Sequence, residues 1–177
     1  MERLPLVKYL ISVIILVPIC IYIFCYLFLN NPTTVFLVRH ADKQGSSDAL
    51  SAAGMVRANE LERILDEADI DVIYASQYNR TQQTANSLAT ELGLTVQLYD
   101  AGDIPSLVDE ITTTHRRKRI LVVGHSNTIP QTIGQLGFTT PPNIPEDEYD
   151  HLYLAILHSK MNNQLIKMEY GADTPNQ

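Results

Sequence analysis

Beyond residue 25 the chain contains no cysteine; its two cysteines, Cys20 and Cys25, sit in one apolar run near the start. The remainder therefore offers no disulfide, no thiol nucleophile and no cysteine metal site. Basic residues are also scarce. Setting aside Arg3, Lys8 and Glu2, the whole-chain counts of 13 basic and 20 acidic residues become 11 and 19, a net charge of −8 for residues 33–177. That balance excludes nucleic acid as a partner, and it makes the positions of the few arginines informative. The one basic cluster, Arg116-Arg117-Lys118-Arg119, reads as a solvated loop ahead of a strand, with a lipid-headgroup contact as the weaker alternative. There is no internal repeat and no low-complexity segment, and 177 residues suffice for one domain.

What the chain does have at its start is a long uncharged stretch. Residues 9–29 carry no charge over 21 positions. As a helix they would span about 31 Å, the thickness of a bilayer's hydrocarbon core. Pro18 lies inside, which a membrane helix tolerates. A cleaved signal peptide is the alternative. The run is longer than a usual signal core, however, and no small-x-small cleavage site follows it. Residues 1–32 are therefore expected to be an uncleaved single-pass anchor and residues 33–177 a separate domain. Arg3 and Lys8 precede the run and no basic residue follows before Arg39. This bias places the N-terminus in the cytoplasm and the domain on the outer side, periplasmic or extracellular.

Within the domain, strands are predicted at 34–38, 72–75, 95–99, 120–124, 151–158 and 164–170, where β-branched and aromatic residues concentrate. Helices are predicted from a Ser51 N-cap to about 68, over 79–92 ahead of Gly93, over 105–114 and over 127–136 ahead of Gly137. In the first helix Met55, Ala58, Leu61, Ile64 and Leu65 give the buried spacing. Alternating strands and helices imply an α/β fold: a three-layer α/β/α sandwich with a largely parallel sheet, plus one N-terminal transmembrane helix, the last hairpin adding an antiparallel edge. Ligands in such sheets bind beyond the strands' carboxyl ends. That edge would gather residues 39–40, 76–80, 99–103 and 124–125.

Four side chains there suit phosphoryl chemistry. A neutral imidazole is a nucleophile near pH 7, and a neighbouring guanidinium keeps it neutral, so Arg39 beside His40 is apt. Arginine's forked donors also match phosphate oxygens. Arg80 falls in the first turn of a helix, where a cation is unwelcome unless an anion is bound nearby. His125 ends a buried strand, with Asn127 and Thr128 adding polar groups at the mouth. Taken singly, each is more often structural. The segment 147–152 reads as a solvated acidic loop, with Tyr149 and Asp150 at the pocket mouth as the less favoured alternative.

The order of these blocks resembles the histidine phosphatase superfamily, the phosphoglycerate mutase-like proteins. Val38-Arg39-His40-Ala41 resembles its Arg-His-Gly signature, Leu50-Ser51 through Gly54 its Leu-Thr-x-x-Gly, Ser76 through Ala85 its Ser-x-x-x-Arg-x-x-Gln-Thr-Ala, and Gly124-His125-Ser126 the block of the second histidine. The resemblance covers about 34–137. It implies that His40 attacks phosphorus and becomes phosphohistidine, that Arg39, Arg80 and His125 bind the phosphoryl oxygens, and that no metal or organic cofactor takes part; Asn127, at the mouth, is a further candidate for phosphate binding. It departs from the pattern at Ala41, at Asp42 in place of a glutamate, and at the proton donor, for which Asp103 is the first candidate and Asp100 the second. Asp103, ahead of Ile104-Pro105, would equally make a helix cap. The expected function is a metal-independent phosphatase of small-molecule or lipid-linked phosphate monoesters. The alternatives are a phosphohistidine protein phosphatase and a catalytically silent binder of phosphorylated ligands.

Overall fold

Six segments pair into one sheet: β1 (Thr33–Arg39), β2 (Val72–Ser76), β3 (Val96–Tyr99), β4 (Arg119–Gly124), β5 (His151–Leu157) and β6 (Gln164–Glu169). In this computed structural model the described residues are 13–22, 31–158 and 162–174. The sheet order is β3-β2-β4-β1-β5-β6. The pairings β1–β4, β2–β4 and β2–β3 are parallel, while β5 runs antiparallel to both β1 and β6. The expected α/β class and largely parallel sheet are observed, the closing hairpin forming the antiparallel side.

Four helices cover the sheet: α1 (Ala52–Leu65), α2 (Asn79–Glu91), α3 (Ile104–Thr113) and α4 (Thr128–Gln135). The continuous apolar run of β4 reflects burial on both faces. Its alternate residues point opposite ways. Ile120 and Val122 join a core with Leu107 and Ile111 of α3 and Ile129 and Ile133 of α4. Leu121 and Val123 join the other, with Leu61 and Leu65 of α1 and Ala85 and Leu88 of α2.

Two expectations for α1 need correction. The helix ends at Leu65, three residues short of the reading, and Asp69 turns the chain with φ at 49°. Its buried face is also rotated. Gly54, Arg57, Ala58, Leu61 and Leu65 are buried, whereas Met55 is 45% and Ile64 36% exposed. The cause is contact with the loop after β1: a Cβ at Gly54 would collide with the Asp42 carbonyl, so the helix turns this position inward. After α2, Gly93 takes φ +64° and lets the Leu94 N–H return to the Ala89 carbonyl at 2.8 Å, closing the helix.

The chain separates into two compact units, Met1–Asn31 and Pro32–Gln177. Of the first, residues 13–22 are helical through Pro18. Among the described residues no helix is long and apolar enough to cross a membrane. The expected span, 9–29, extends outside the described residues on both sides.

Candidate active site

The parallel strands β1, β2 and β4 finish at one edge, and short backbone links weld their ends together. The His40 N–H donates to the Gly124 carbonyl at 2.8 Å, joining the end of β1 to that of β4. The Ala41 N–H donates to Thr84 Oγ1 at 3.0 Å, and that hydroxyl donates to the Arg80 carbonyl at 2.8 Å. His40 is thereby set against the first turn of α2.

The His40 ring has Nδ1 2.8 Å from the Ala41 carbonyl. A carbonyl can only accept, so Nδ1 carries the proton and Nε2 presents its lone pair. Burial lowers the pKa to about 3; the Ala41 bond opposes this and the charges of Arg39, His125 and Arg80 reinforce it. His125 stands with its ring centroid 5.4 Å away. Its Nδ1 is 3.3 Å from Arg80 Nη2, which can only donate, so Nε2–H donates to Ser76 Oγ at 2.8 Å. Burial, then the charges of Arg80 and Arg39, lower its pKa to about 4.

A pH dependence of stability follows. Both folded-state values lie below the ordinary 6.5, so on acidification the unfolded chain takes up these protons first. The contribution of the neutral rings is complete above about pH 6.5 and is lost as pH falls towards 4 and 3. The melting temperature is expected to drop between pH 7 and pH 5, and the pair His40→Ala and His125→Ala should flatten that slope. Thermal unfolding across this range checks it; an unchanged slope in the double variant would assign the loss to other groups.

Arg80 opens α2 and pairs with Asp48, whose other oxygen accepts the Asn79 N–H at 2.9 Å. Burial pushes the Asp48 carboxyl up, but the bonds from Asn79 and Arg80 outweigh it and hold the pKa below its usual value. The anion that the helix start called for is thus partly supplied by the chain. Arg39 is 2% exposed, with Nη1 donating to the carbonyls of Pro145 and Glu148 at 2.8 and 2.9 Å and Nη2 to Glu146 at 3.2 Å. Tyr149 lies over this guanidinium at 4.1 Å. Among the described residues, the Nε–H groups of Arg39 and Arg80 are buried without a hydrogen-bond partner. Such a group costs about 1–3 kcal/mol, so neither guanidinium is fully satisfied by the protein.

These residues border an open cleft of about 480 Å³ lined by His40, Lys43, Arg80, His125, Asn127 and Glu146, among others. Four of the expected site residues, His40, Arg80, His125 and Asn127, meet there. Arg39 lies behind the lining, against the 145–149 loop. Asp103 is not in the cleft. It is the N-cap of α3, accepting from the Ser106 N–H at 3.2 Å and the Ser106 hydroxyl at 2.7 Å. Pro105 in the helix's first turn and the N–H groups there that need an acceptor account for this placement. Asp103→Ala should lower stability by about 1 kcal/mol and leave kcat unchanged, read from a denaturant midpoint and a rate on the same preparation. Asp100 does line the cleft, one oxygen accepting from the Gly102 N–H at 2.8 Å and Gln77 at 3.3 Å.

Asp42 pairs with Arg57 at 2.7 Å. Asp150 accepts the Thr174 N–H at 2.9 Å, and Tyr149 reaches His40 with ring centroids 5.8 Å apart. Glu146 and Lys43 were missed. Glu146 stands one residue before the acidic segment singled out in the sequence, in a proline-rich loop with no periodicity to orient it.

The sequence model of the Histidine phosphatase superfamily (branch 1) matches residues 35–101, a stretch that includes His40 and Arg80 but stops short of His125. No curated protein matches the sequence. Among solved structures, the protein histidine phosphatase SixA complexed with tungstate is similar with TM-score 0.61 and 19% identity, over 77% of this chain and 96% of that one. The alpha-ribazole phosphatase from Shigella flexneri is similar with TM-score 0.61 and 15% identity, over 77% and 96%. The mycobacterial glucosyl-3-phosphoglycerate phosphatase is similar with TM-score 0.61 and 14% identity, over 80% and 99%. At these identities the likenesses show the shared fold.

Proposed function

We propose that this chain is a phosphatase of the histidine phosphatase superfamily, a hydrolase that splits phosphate monoesters through a phosphohistidine on His40. The observation that carries this reading is the state of His40: a neutral ring, Nδ1 taken by the Ala41 carbonyl, Nε2 free. Arg80 and Lys43 supply positive charge to the same cleft, and Arg39 lies behind it. Nε2 attacks phosphorus in line with the departing oxygen. Arg80 and Asn127 hold the phosphoryl oxygens as charge develops, Arg39 and His125 joining them once the substrate draws Arg39 from Glu146 and the His125 N–H from Ser76, and water then hydrolyses the phosphohistidine. The donors are guanidinium, imidazole and amide groups, so no metal is required. The substrate is a small or lipid-linked phosphate monoester. The test is phosphate release from p-nitrophenyl phosphate by the full-length chain in EDTA. Release supports a metal-independent phosphatase; none from folded protein removes the reading.

A second reading is a phosphohistidine protein phosphatase. It is favoured by the position of Asp103, which leaves the end of β3 without that candidate acid. A phosphorylated histidine protein turned over far faster than p-nitrophenyl phosphate would move the assignment there. We propose further that residues 9–29 anchor the chain with the domain on the outer side. Their uncharged length supports this, and paired C-terminal reporters active only outside or only inside the cell would decide it.

A further inference from the structure

The loop from α4 to β5 borders the cleft through Glu146. Ile144 is buried in the core beneath it, and Arg39 grips the carbonyls of Pro145 and Glu148. Between these fixed points Glu146 reaches into the cleft. One carboxylate oxygen is 3.2 Å from Arg39 Nη2; the other accepts the hydroxyl of Ser126, the residue after His125. The side chain is 80% exposed and lines the cleft with His40.

On the reading that the chain is a phosphomonoesterase, we propose that Glu146 is the group that protonates the leaving oxygen. Three other carboxylates near the cleft are committed elsewhere, Asp103 to its helix, Asp42 to Arg57 and Asp48 to Arg80, while Asp100 lines the cleft with one oxygen held by Gly102 and Gln77. Glu146 alone among these is shared between an arginine expected to hold the phosphoryl group and a hydroxyl beside the second histidine.

The Ser126 bond, with the charges of Arg39 and Lys43, outweighs burial and holds the Glu146 carboxyl below its usual pKa. A phosphoryl group entering the cleft competes for Arg39 and sets negative charge beside the carboxylate. Both changes raise its affinity for a proton. The proton arrives with the substrate monoanion, since a phosphate monoester loses its second proton near pH 6. In the first step the His40 Nε2–P bond forms and the P–O bond to the leaving group breaks. The bonding pair goes to the departing oxygen, which takes the Glu146 proton and leaves as an alcohol. In the second, the Glu146 carboxylate takes a proton from water as its oxygen bonds to phosphorus. The N–P bond breaks, its pair returns to Nε2, and inorganic phosphate departs.

The test compares p-nitrophenyl phosphate, whose leaving group needs no proton, with glycerol 2-phosphate, whose alkoxide does. In the full-length chain, Glu146→Gln should lower kcat on the glycerol ester by about 100-fold or more and on the nitrophenyl ester by less than about threefold. Glu146→Asp should recover part of the loss. Equal losses on both esters would mean that Glu146 only positions Arg39, and a gain on both that it merely occupies the anion site; either overturns the proposal. Wild-type chain inert towards both esters would instead sink the phosphatase reading, and this role with it.

Discussion

His40→Ala is expected to lower phosphate release from p-nitrophenyl phosphate by at least about 10⁴-fold, a transition-state loss of about 5.5 kcal/mol. No other side chain in the cleft is prepared to take its place. His125 has one nitrogen facing Arg80 and the other facing Ser76, so it offers no free lone pair. The remaining polar groups are donors, hydroxyls or carboxylates, and a carboxylate is repelled by the phosphoryl group that it would have to attack. The fold should survive. His40 is tied in mainly through its backbone N–H to Gly124, which alanine keeps, and only the ring bond to Ala41 is lost. A far-UV spectrum and melting curve near wild type would separate loss of the nucleophile from loss of structure. The wild-type chain, quenched in alkali during turnover, should carry protein-bound phosphate that acid releases, as expected of an N–P bond. The variant should carry none. Turnover that persists in His40→Ala would dispose of the phosphohistidine mechanism. Inert wild-type chain that still binds vanadate would favour the binding-only reading.

Much of this arrangement is legible in the sequence because local rules control it. Apolar runs fix the strands, helix stops fall where Gly93 and Gly137 follow, and alternation of strand with helix dictates a parallel sheet whose carboxyl edge collects His40, Arg80, His125 and Asn127. What escapes is set by contacts distant along the chain. Arg39 turns towards carbonyls 106 and 109 residues away, and nothing near position 39 reports where those will lie. Glu146 is placed by the same clasp and by prolines that give its loop no period. Asp103 presented two local readings, acid and cap; the cap prevailed because a helix start must satisfy its N–H groups whether or not a substrate is near. The face of α1 was misjudged because apolar spacing counts only carbon. Arg57 takes an inward position that the pattern assigns to Met55 or Ile64, and it does so to meet a charge.

That arginine carries the largest stability effect we expect. Arg57 is 6% exposed, and its Nε donates to Asp42 at 2.7 Å. Its Nη1 donates to the carbonyls of Tyr170 and Ala172 at 3.1 and 2.8 Å. It joins the segment after β1, helix α1 and the segment after β6, and a guanidinium is suited to this because its fork serves several acceptors at once. Arg57→Ala removes every one of these donors and leaves Asp42, 23% exposed, as a half-buried charge without its partner. Breaking such a pair from one side costs about 3–5 kcal/mol. Because Asp42 can recover some water, the lower end, about 3 kcal/mol, is expected, equivalent to a fall of about 6–12 °C in Tm for a chain of this size. Asp42→Asn in the same background should restore part of the loss, since no unpaired charge then remains. Denaturant midpoints for the two single variants and the double variant give the coupling directly. A coupling near zero would mean that Arg57 acts only through the two carbonyls. A cost below about 1 kcal/mol for Arg57→Ala would mean that the loop carrying His40 is held by Gly54 and the backbone bond from Ser51 to Asp42 instead.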